Sequence, residues 1–124
     1  MATRFAQKYM EQLPLGNLTT EQFLSIAIET SSQLGWVLGY INKTGFIAYT
    51  NNGLFSWNAE VKLKIKDGSA NLQSRSRGDD IIDVRENKKN LQSFVLTFKG
   101  LKKVLTPEEL EIKCARLKAN GNFA

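Results

Sequence analysis

The sequence predicts an α+β domain in which two helices cover one face of an antiparallel sheet. The chain has 124 residues, of which 42% are hydrophobic, and this is enough for one folded core. One segment has the alternation of a β-hairpin, and three others begin with residues typical of helix N-termini. Strands and helices in this order pack most economically as two layers.

The hairpin is centred on Asp67-Gly68. Val61, Leu63 and Ile65 alternate with lysines, as in a strand with one buried face. An Asp-Gly pair favours a type I′ turn, because both central residues of that turn need positive φ. The predicted inner pairs are Ile65 with Ala70, Leu63 with Leu72 and Val61 with Ser74, and the predicted outer pairs are Lys64 with Asn71, Lys62 with Gln73 and Glu60 with Arg75.

The first helix is predicted over residues 20–34. Thr19 and Gln22 have the spacing of a capping box, and Gly35 stands where a helix often ends in a glycine. The second helix is predicted to begin after Asp83 as N-cap and to end at Gly100.

A third, C-terminal helix is predicted to begin at Thr106-Pro107, with acidic residues in its first turn. Its apolar stripe is narrow and consists of Leu110, Cys114 and Leu117. We therefore treat residues 1–104 as the α+β domain and residues 105–124 as a tail helix with a linker-like end.

Three further strands are predicted. The first covers residues 4–12 and is followed by chain breakers at Pro14 and Gly16. Residues 36–41 and 45–50 form two more strands around a turn. Because residues 36–41 are apolar on both faces, that strand is either covered on both sides or exposes an apolar face that can contact another surface. The sheet is thus expected to have four or five strands.

The composition favours a binding role over catalysis. The chain has no histidine, which removes the commonest general base and most zinc sites. Cys114 reads as a small packing residue, since it lacks an activating base nearby. The acidic run Asp79, Asp80 and Asp83 reads as a polar turn leading to a helix cap, not as a calcium loop. We expect no enzyme activity, metal or cofactor.

The charge is +5, from 17 basic and 12 acidic residues, and all of the excess lies after residue 59. The one cysteine permits no internal disulfide, which indicates a reducing compartment. We find neither a secretory leader nor an apolar segment long enough to span a bilayer, so we expect a cytoplasmic chain.

The outer strand face is the main candidate site for an anionic partner. Alternating lysines there could follow phosphates, although they also protect a sheet from aggregation without any ligand. The apolar loop around Phe55 and Trp57 could dock a partner or plug the end of the core. The candidate anion-binding residues are Lys62, Lys64, Lys66, Arg75 and Arg77.

The C-terminal quarter is a second basic region. If a membrane segment followed, the positive-inside rule would place this region on the cytoplasmic side. Its basic residues are Lys99, Lys102, Lys103, Lys113, Arg116 and Lys118.

Several motifs together resemble a family of uncharacterised bacterial domains, chiefly from Bacteroidetes. Some members of that family precede rhomboid-like intramembrane protease segments. The resemblance covers about residues 18–98. Its motifs are Trp36, Thr44-Gly45-Phe46-Ile47-Ala48-Tyr49-Thr50, Ser56-Trp57, Glu60-Val61, Ser74-Arg75-Ser76 and a helix start with Asp83, Asn87, Lys88, Lys89 and Asn90.

This resemblance implies a cytoplasmic accessory domain of a membrane protein, with a fold similar to half of a TATA-box-binding protein. It implies no catalytic residue in this chain, because the catalytic serine and histidine of a rhomboid protease would lie in its membrane segments. From the residues alone, Asn87 and Asn90 are expected to bond backbone groups at the helix start. We therefore expect a non-catalytic binding or regulatory domain at the inner face of a membrane, or alternatively a nucleic-acid-binding module.

Overall fold

A five-stranded antiparallel sheet forms one layer of the protein. The computed structural model describes residues 8–50, 59–76 and 84–119. The strand order is β1-β5-β4-β3-β2, which confirms the predicted α+β class with a C-terminal helix. The elements are β1 (Lys8–Pro14), α1 (Thr20–Gln33), β2 (Val37–Asn42), β3 (Gly45–Tyr49), β4 (Ala59–Lys66), β5 (Ser69–Ser76), α2 (Val84–Val104) and α3 (Pro107–Ala119).

The β4–β5 hairpin has the register that its sequence predicts. Asp67 and Gly68 have φ values of 53° and 77°, as a type I′ turn requires. Leu63 lies opposite Leu72 on the inner face, and Lys62 lies opposite Gln73 on the outer face. The turn therefore sets which side chains of both strands enter the core.

Helix α1 begins with the predicted capping box. The Thr19 Oγ1 accepts a hydrogen bond from the Gln22 backbone N–H at 3.1 Å, and the Gln22 Oε1 accepts one from the Thr19 N–H at 3.0 Å. The helix ends at Gln33, and Gly35 follows with a φ of 78°. Both ends of α1 are thus determined by local sequence.

The core lies between the inner sheet face and helices α1 and α2. Phe23 of α1 and Phe98 of α2 have ring centroids 4.5 Å apart. Phe94 of α2 is fully buried and stacks on Trp36 at 5.8 Å. The inner residues Val61 and Leu63 of β4 are also buried. Within the residues that the structure describes, the helices therefore cover one face of the sheet and leave the other uncovered.

Helix α2 does not end at Gly100 as predicted but continues to Val104. A glycine inside a helix costs only about 1 kcal/mol relative to alanine. Leu101 and Leu105 pack against the core, and the Leu105 N–H donates to the Leu101 carbonyl at 3.0 Å. Burial of the following residues therefore outweighs the weak helix propensity of Gly100.

Strand β1 was predicted to end at residue 12, and this was wrong, because it includes Leu13 and Pro14. Pro14 pairs with Ser69 of β5, at the edge of the sheet. An edge strand tolerates a proline, since one of its sides needs no backbone donor. Leu13 is buried, and its burial extends the strand beyond the predicted end.

Helix α3 begins at Pro107, as predicted, and packs against α1. Thr106 and Glu109 form a second capping box, with hydrogen bonds of 3.1 Å and 2.9 Å. The predicted stripe of Leu110, Cys114 and Leu117 is buried. This contact with α1 stabilises a helix whose length alone would be marginal in water.

Candidate binding surface

The sheet face that points away from the helices is called the outer face below, and its centre is a row of three lysines. Lys62, Lys64 and Lys66 of β4 are all exposed. Their position follows from the two-residue period of the strand, because the intervening Val61, Leu63 and Ile65 are buried. The same alternation that builds the core therefore creates this basic row.

Strand β5 extends the outer face with polar residues. Asn71 and Gln73 lie opposite Lys64 and Lys62. Arg75 lies opposite Glu60, and its guanidinium is 3.9 Å from the Glu60 carboxylate. Since the Arg75 side chain is 60% exposed, this pair contributes little stability but partly neutralises Arg75. The lysines of β4 remain the main positive charges of the face.

The β2–β3 side of the outer face is apolar. Ile47 of β3 lies between Lys62 of β4 and Tyr40 of β2. Tyr40 is 58% exposed. The ring of Tyr49 occupies the space beside Gly39, where a Cβ atom would contact it. Cationic and aromatic side chains thus lie on adjacent strands of one surface.

A shallow depression lies where these two halves meet. Its walls are formed by Tyr40 and Asn42 on one side and by Lys62 and Lys64 on the other. Gly45 is part of its lining, and a Cβ atom at this position would collide with the Leu63 carbonyl oxygen. The tight approach of β3 to β4 therefore requires glycine here and leaves the depression open.

The helix-start motif has a structural role that its sequence did not reveal. Asn87 of α2 is 1% exposed, and its Oδ1 accepts a hydrogen bond of 2.8 Å from the Ser74 Oγ of β5. The Nδ2 of Asn90 donates to the same Oγ at 3.2 Å. Ser74 on the inner face of β5 was predictable from the register, and a buried hydroxyl needs a partner. Lys88 and Lys89 are exposed on the other side of α2.

Apart from Arg116, which is exposed on α3, the basic residues of the C-terminal quarter divide into two groups. Lys113 and Lys118 of α3 bind the carboxylates of Glu29 and Glu21 at 3.0 Å and 3.2 Å. These ion pairs join α3 to α1. By contrast, Lys99, Lys102 and Lys103 of α2 are exposed beside two exposed apolar side chains, Leu96 and Val104.

Four predicted site residues lie outside the residues that the structure describes. They are Arg77, Phe55, Trp57 and Asp83.

The side chains of Cys114 and Glu109 both make hydrogen bonds within the fold. Cys114 is 9% exposed, and the Ser25 Oγ donates to its sulfur at 3.4 Å. Two hydrogen bonds with Thr106 hold the pKa of Glu109 below its ordinary value, and the bond to the Thr106 backbone has the larger effect.

No group of three or more metal-ligating side chains occurs within residues 8–50, 59–76 and 84–119. Among the helices described there, none is long and apolar enough to cross a membrane.

Comparison with known proteins gives no family for this chain. No protein-family model matches it, and no curated protein matches its sequence. The resemblance to rhomboid-associated domains therefore stays a prediction.

Proposed function

We propose that this chain is a binding module that contacts single-stranded nucleic acid through the outer face of its sheet. The observation that supports this proposal is the exposed row of Lys62, Lys64 and Lys66 beside the apolar surface of Tyr40 and Ile47. Proteins that bind single strands combine a positively charged track with aromatic surfaces on which bases stack.

The spacing of the lysines suits a chain of phosphates. Alternate residues of an antiparallel strand are about 7 Å apart, so the lysine row presents a regular line of cations. Such a line can follow the phosphates of an extended strand without reading its sequence. Binding of this kind releases counterions and therefore weakens strongly with salt.

The apolar half of the outer face provides the second contribution. Stacking of a base on an aromatic ring is worth about 1–3 kcal/mol. Tyr40 is exposed and lies across Ile47 from Lys62, so a strand with phosphates on β4 would place bases over β3 and β2. Polar Asn71 and Gln73 on the opposite side of the lysines offer hydrogen bonds but no aromatic surface.

The test is a fluorescence anisotropy titration with a labelled single-stranded oligonucleotide at low and moderate salt. The variant Lys62→Glu/Lys64→Glu reverses two charges on the outer face. Its matched control, Lys99→Glu/Lys103→Glu, makes the same charge change on α2. We expect the first variant to lose most of the binding and the control to keep it. Equal losses in both variants, or no binding of the natural chain at low salt, would contradict the proposal.

A second candidate function is that of a cytoplasmic accessory domain at an anionic membrane surface. The observation in its favour is the exposed surface of α2, where Leu96 lies among Lys99, Lys102 and Lys103 and where Val104 is a second exposed apolar residue. Lysines near an anionic leaflet contribute about 1 kcal/mol each, and exposed apolar side chains can enter the headgroup region.

The same two variants separate this candidate from the first. In co-sedimentation with vesicles that contain phosphatidylserine, membrane binding through α2 predicts a loss with Lys99→Glu/Lys103→Glu and retention with Lys62→Glu/Lys64→Glu. Vesicles of phosphatidylcholine alone give the charge-independent background. If the natural chain sediments equally with both lipids, or with neither, this candidate is rejected.

A further inference from the structure

The depression on the outer face lies at a gap in a row of side chains. Asn42 of β2, Gly45 of β3 and Lys64 of β4 lie opposite one another on three adjacent strands. Neighbouring strands are about 4.8 Å apart, so the backbones at Asn42 and Lys64 are separated by about 10 Å. Because Gly45 has no side chain, the space between them stays open, and the depression has a volume of about 230 Å³. A cavity of about 150 Å³ can hold a benzene ring, so a single pyrimidine ring fits here.

The β2–β3 turn fixes the orientation of the Asn42 amide. The Thr44 backbone N–H donates to the Asn42 Oδ1 at 3.0 Å, and the Thr44 hydroxyl donates to the same oxygen at 3.3 Å. Because a backbone N–H can only donate, the amide oxygen must face Thr44, and these two bonds use both of its lone pairs. The Asn42 Nδ2 lies 3.5 Å from the Tyr40 hydroxyl instead, and both residues line the depression.

The two sides of the depression therefore present hydrogen-bond donors. The Asn42 Nδ2 has two N–H groups, and the contact with Tyr40 uses at most one of them, so among the described residues a second one remains for a ligand. On the other side Lys64 is exposed, and its ammonium group can only donate. This arrangement suits a flat ring that carries an acceptor on each of two opposite sides.

We propose that the depression binds a uracil or thymine base of the single strand and that Asn42 determines this preference. The inference rests on the proposed function and adds a base preference to it. Uracil and thymine have the carbonyl acceptors O2 and O4 on two sides of the ring, where they can face Asn42 and Lys64. Cytosine has the same size but carries an amino donor in place of O4, so that donor would face a second donor. An unsatisfied donor of this kind weakens binding by about tenfold.

The test compares two labelled oligonucleotides of about ten nucleotides, oligothymidylate and oligodeoxycytidylate, by anisotropy titration at low salt and neutral pH. The measured quantity is the ratio of the two dissociation constants. We expect the natural chain to bind oligothymidylate about tenfold more tightly. Asn42→Asp keeps an oxygen that accepts from Thr44 but replaces the Nδ2 donor with an acceptor, so this variant should lose the preference.

Asn71→Asp is the matched control for the added negative charge. Asn71 lies on β5, on the other side of Lys64, and its Oδ1 accepts a hydrogen bond from the Gln12 Nε2 at 3.2 Å, which an aspartate can also accept. This variant should weaken binding of both oligonucleotides equally and keep their ratio. Circular dichroism of both variants should match that of the natural chain, because each keeps its structural acceptor.

The outcomes separate this inference from the proposed function. If the natural chain binds both oligonucleotides equally, the base preference is overturned and the nucleic-acid-binding function stands. If it binds neither at low salt, both proposals fail. The same change of ratio in Asn42→Asp and Asn71→Asp, or an unchanged ratio in Asn42→Asp, overturns the role of Asn42.

Discussion

The Ser74 Oγ on β5 donates a hydrogen bond of 2.8 Å to the Asn87 Oδ1 on α2. Ser74 is fully buried and Asn87 is 1% exposed. Within the core this bond joins the sheet to the helix that begins soon after β5. Because a buried polar group that loses its partner is costly, the bond fixes how α2 lies on the sheet.

Ser74→Ala should lower the free energy of unfolding by about 1–3 kcal/mol, because it removes a buried donor from Asn87. Urea unfolding followed by circular dichroism gives this value. Ser32→Ala is the matched control, since Ser32 is exposed on α1 and alanine is a better helix former. If both variants unfold at the same urea concentration, the hydrogen bond does not contribute to stability.

Two glycines should respond in opposite ways to alanine. Gly45→Ala places a Cβ atom against the Leu63 carbonyl oxygen and should destabilise the chain by about 1–3 kcal/mol. Gly100→Ala meets open space inside α2 and should stabilise it by about 0.5–1 kcal/mol. Thermal unfolding of both variants tests the pair. A stabilising Gly45→Ala would show that β3 can move away from β4.

The capping box of α3 should make stability depend on pH. The pKa of Glu109 is lowered in the folded chain from its ordinary value of 4.5, mainly by the Thr106 backbone hydrogen bond. Its stabilising contribution is therefore complete above the unfolded pKa, and it is lost as the pH falls through the folded pKa.

Unfolding of the natural chain and of Glu109→Gln across this acidic range measures that contribution. The natural chain should be the more stable at neutral pH, and the difference should disappear once Glu109 is protonated in both the folded and the unfolded state. Glu108→Gln removes a charge from the same helical turn but keeps the capping box, so its stability should keep the pH dependence that Glu109→Gln loses. Identical profiles for the two variants would assign the effect to the helix dipole.

If the outer face binds single-stranded nucleic acid, the salt dependence should identify the contributing lysines. Each lysine that contacts a phosphate adds about 0.7 to the slope of log K against log salt concentration. Lys62→Ala should lower the slope by about this amount, whereas Lys99→Ala should leave it unchanged. Anisotropy titrations between about 50 and 200 mM salt measure the slopes. An equal decrease in both variants would indicate contact without a defined surface.

Local chemistry made much of the fold predictable. The Asp67-Gly68 turn determines the β4–β5 register, and the Thr19 capping box determines where α1 begins. In both cases, the residues that specify the structure are adjacent or within one helical turn. The position of the lysine row follows from the same register.

Features that depend on distant residues were not predictable. The end of α2 depends on the packing of Leu101 and not on Gly100 alone. The hydrogen bond between Ser74 and Asn87 needs the relative position of a strand and a helix, which no local pattern contains. From the sequence, the apolar strand β2 could be covered on both sides or could expose an apolar face. The strand order places β2 at an edge of the sheet and favours the exposed face.

The packing of α3 against α1 also affects how the chain can fold during synthesis. Ser25 and Cys114 are in contact although 89 positions separate them in the chain. A ribosome therefore completes the strands and α2 before the residues that cover this side of α1 have been added. Until then, this side of α1 stays uncovered in the nascent chain and is open to contact with other molecules.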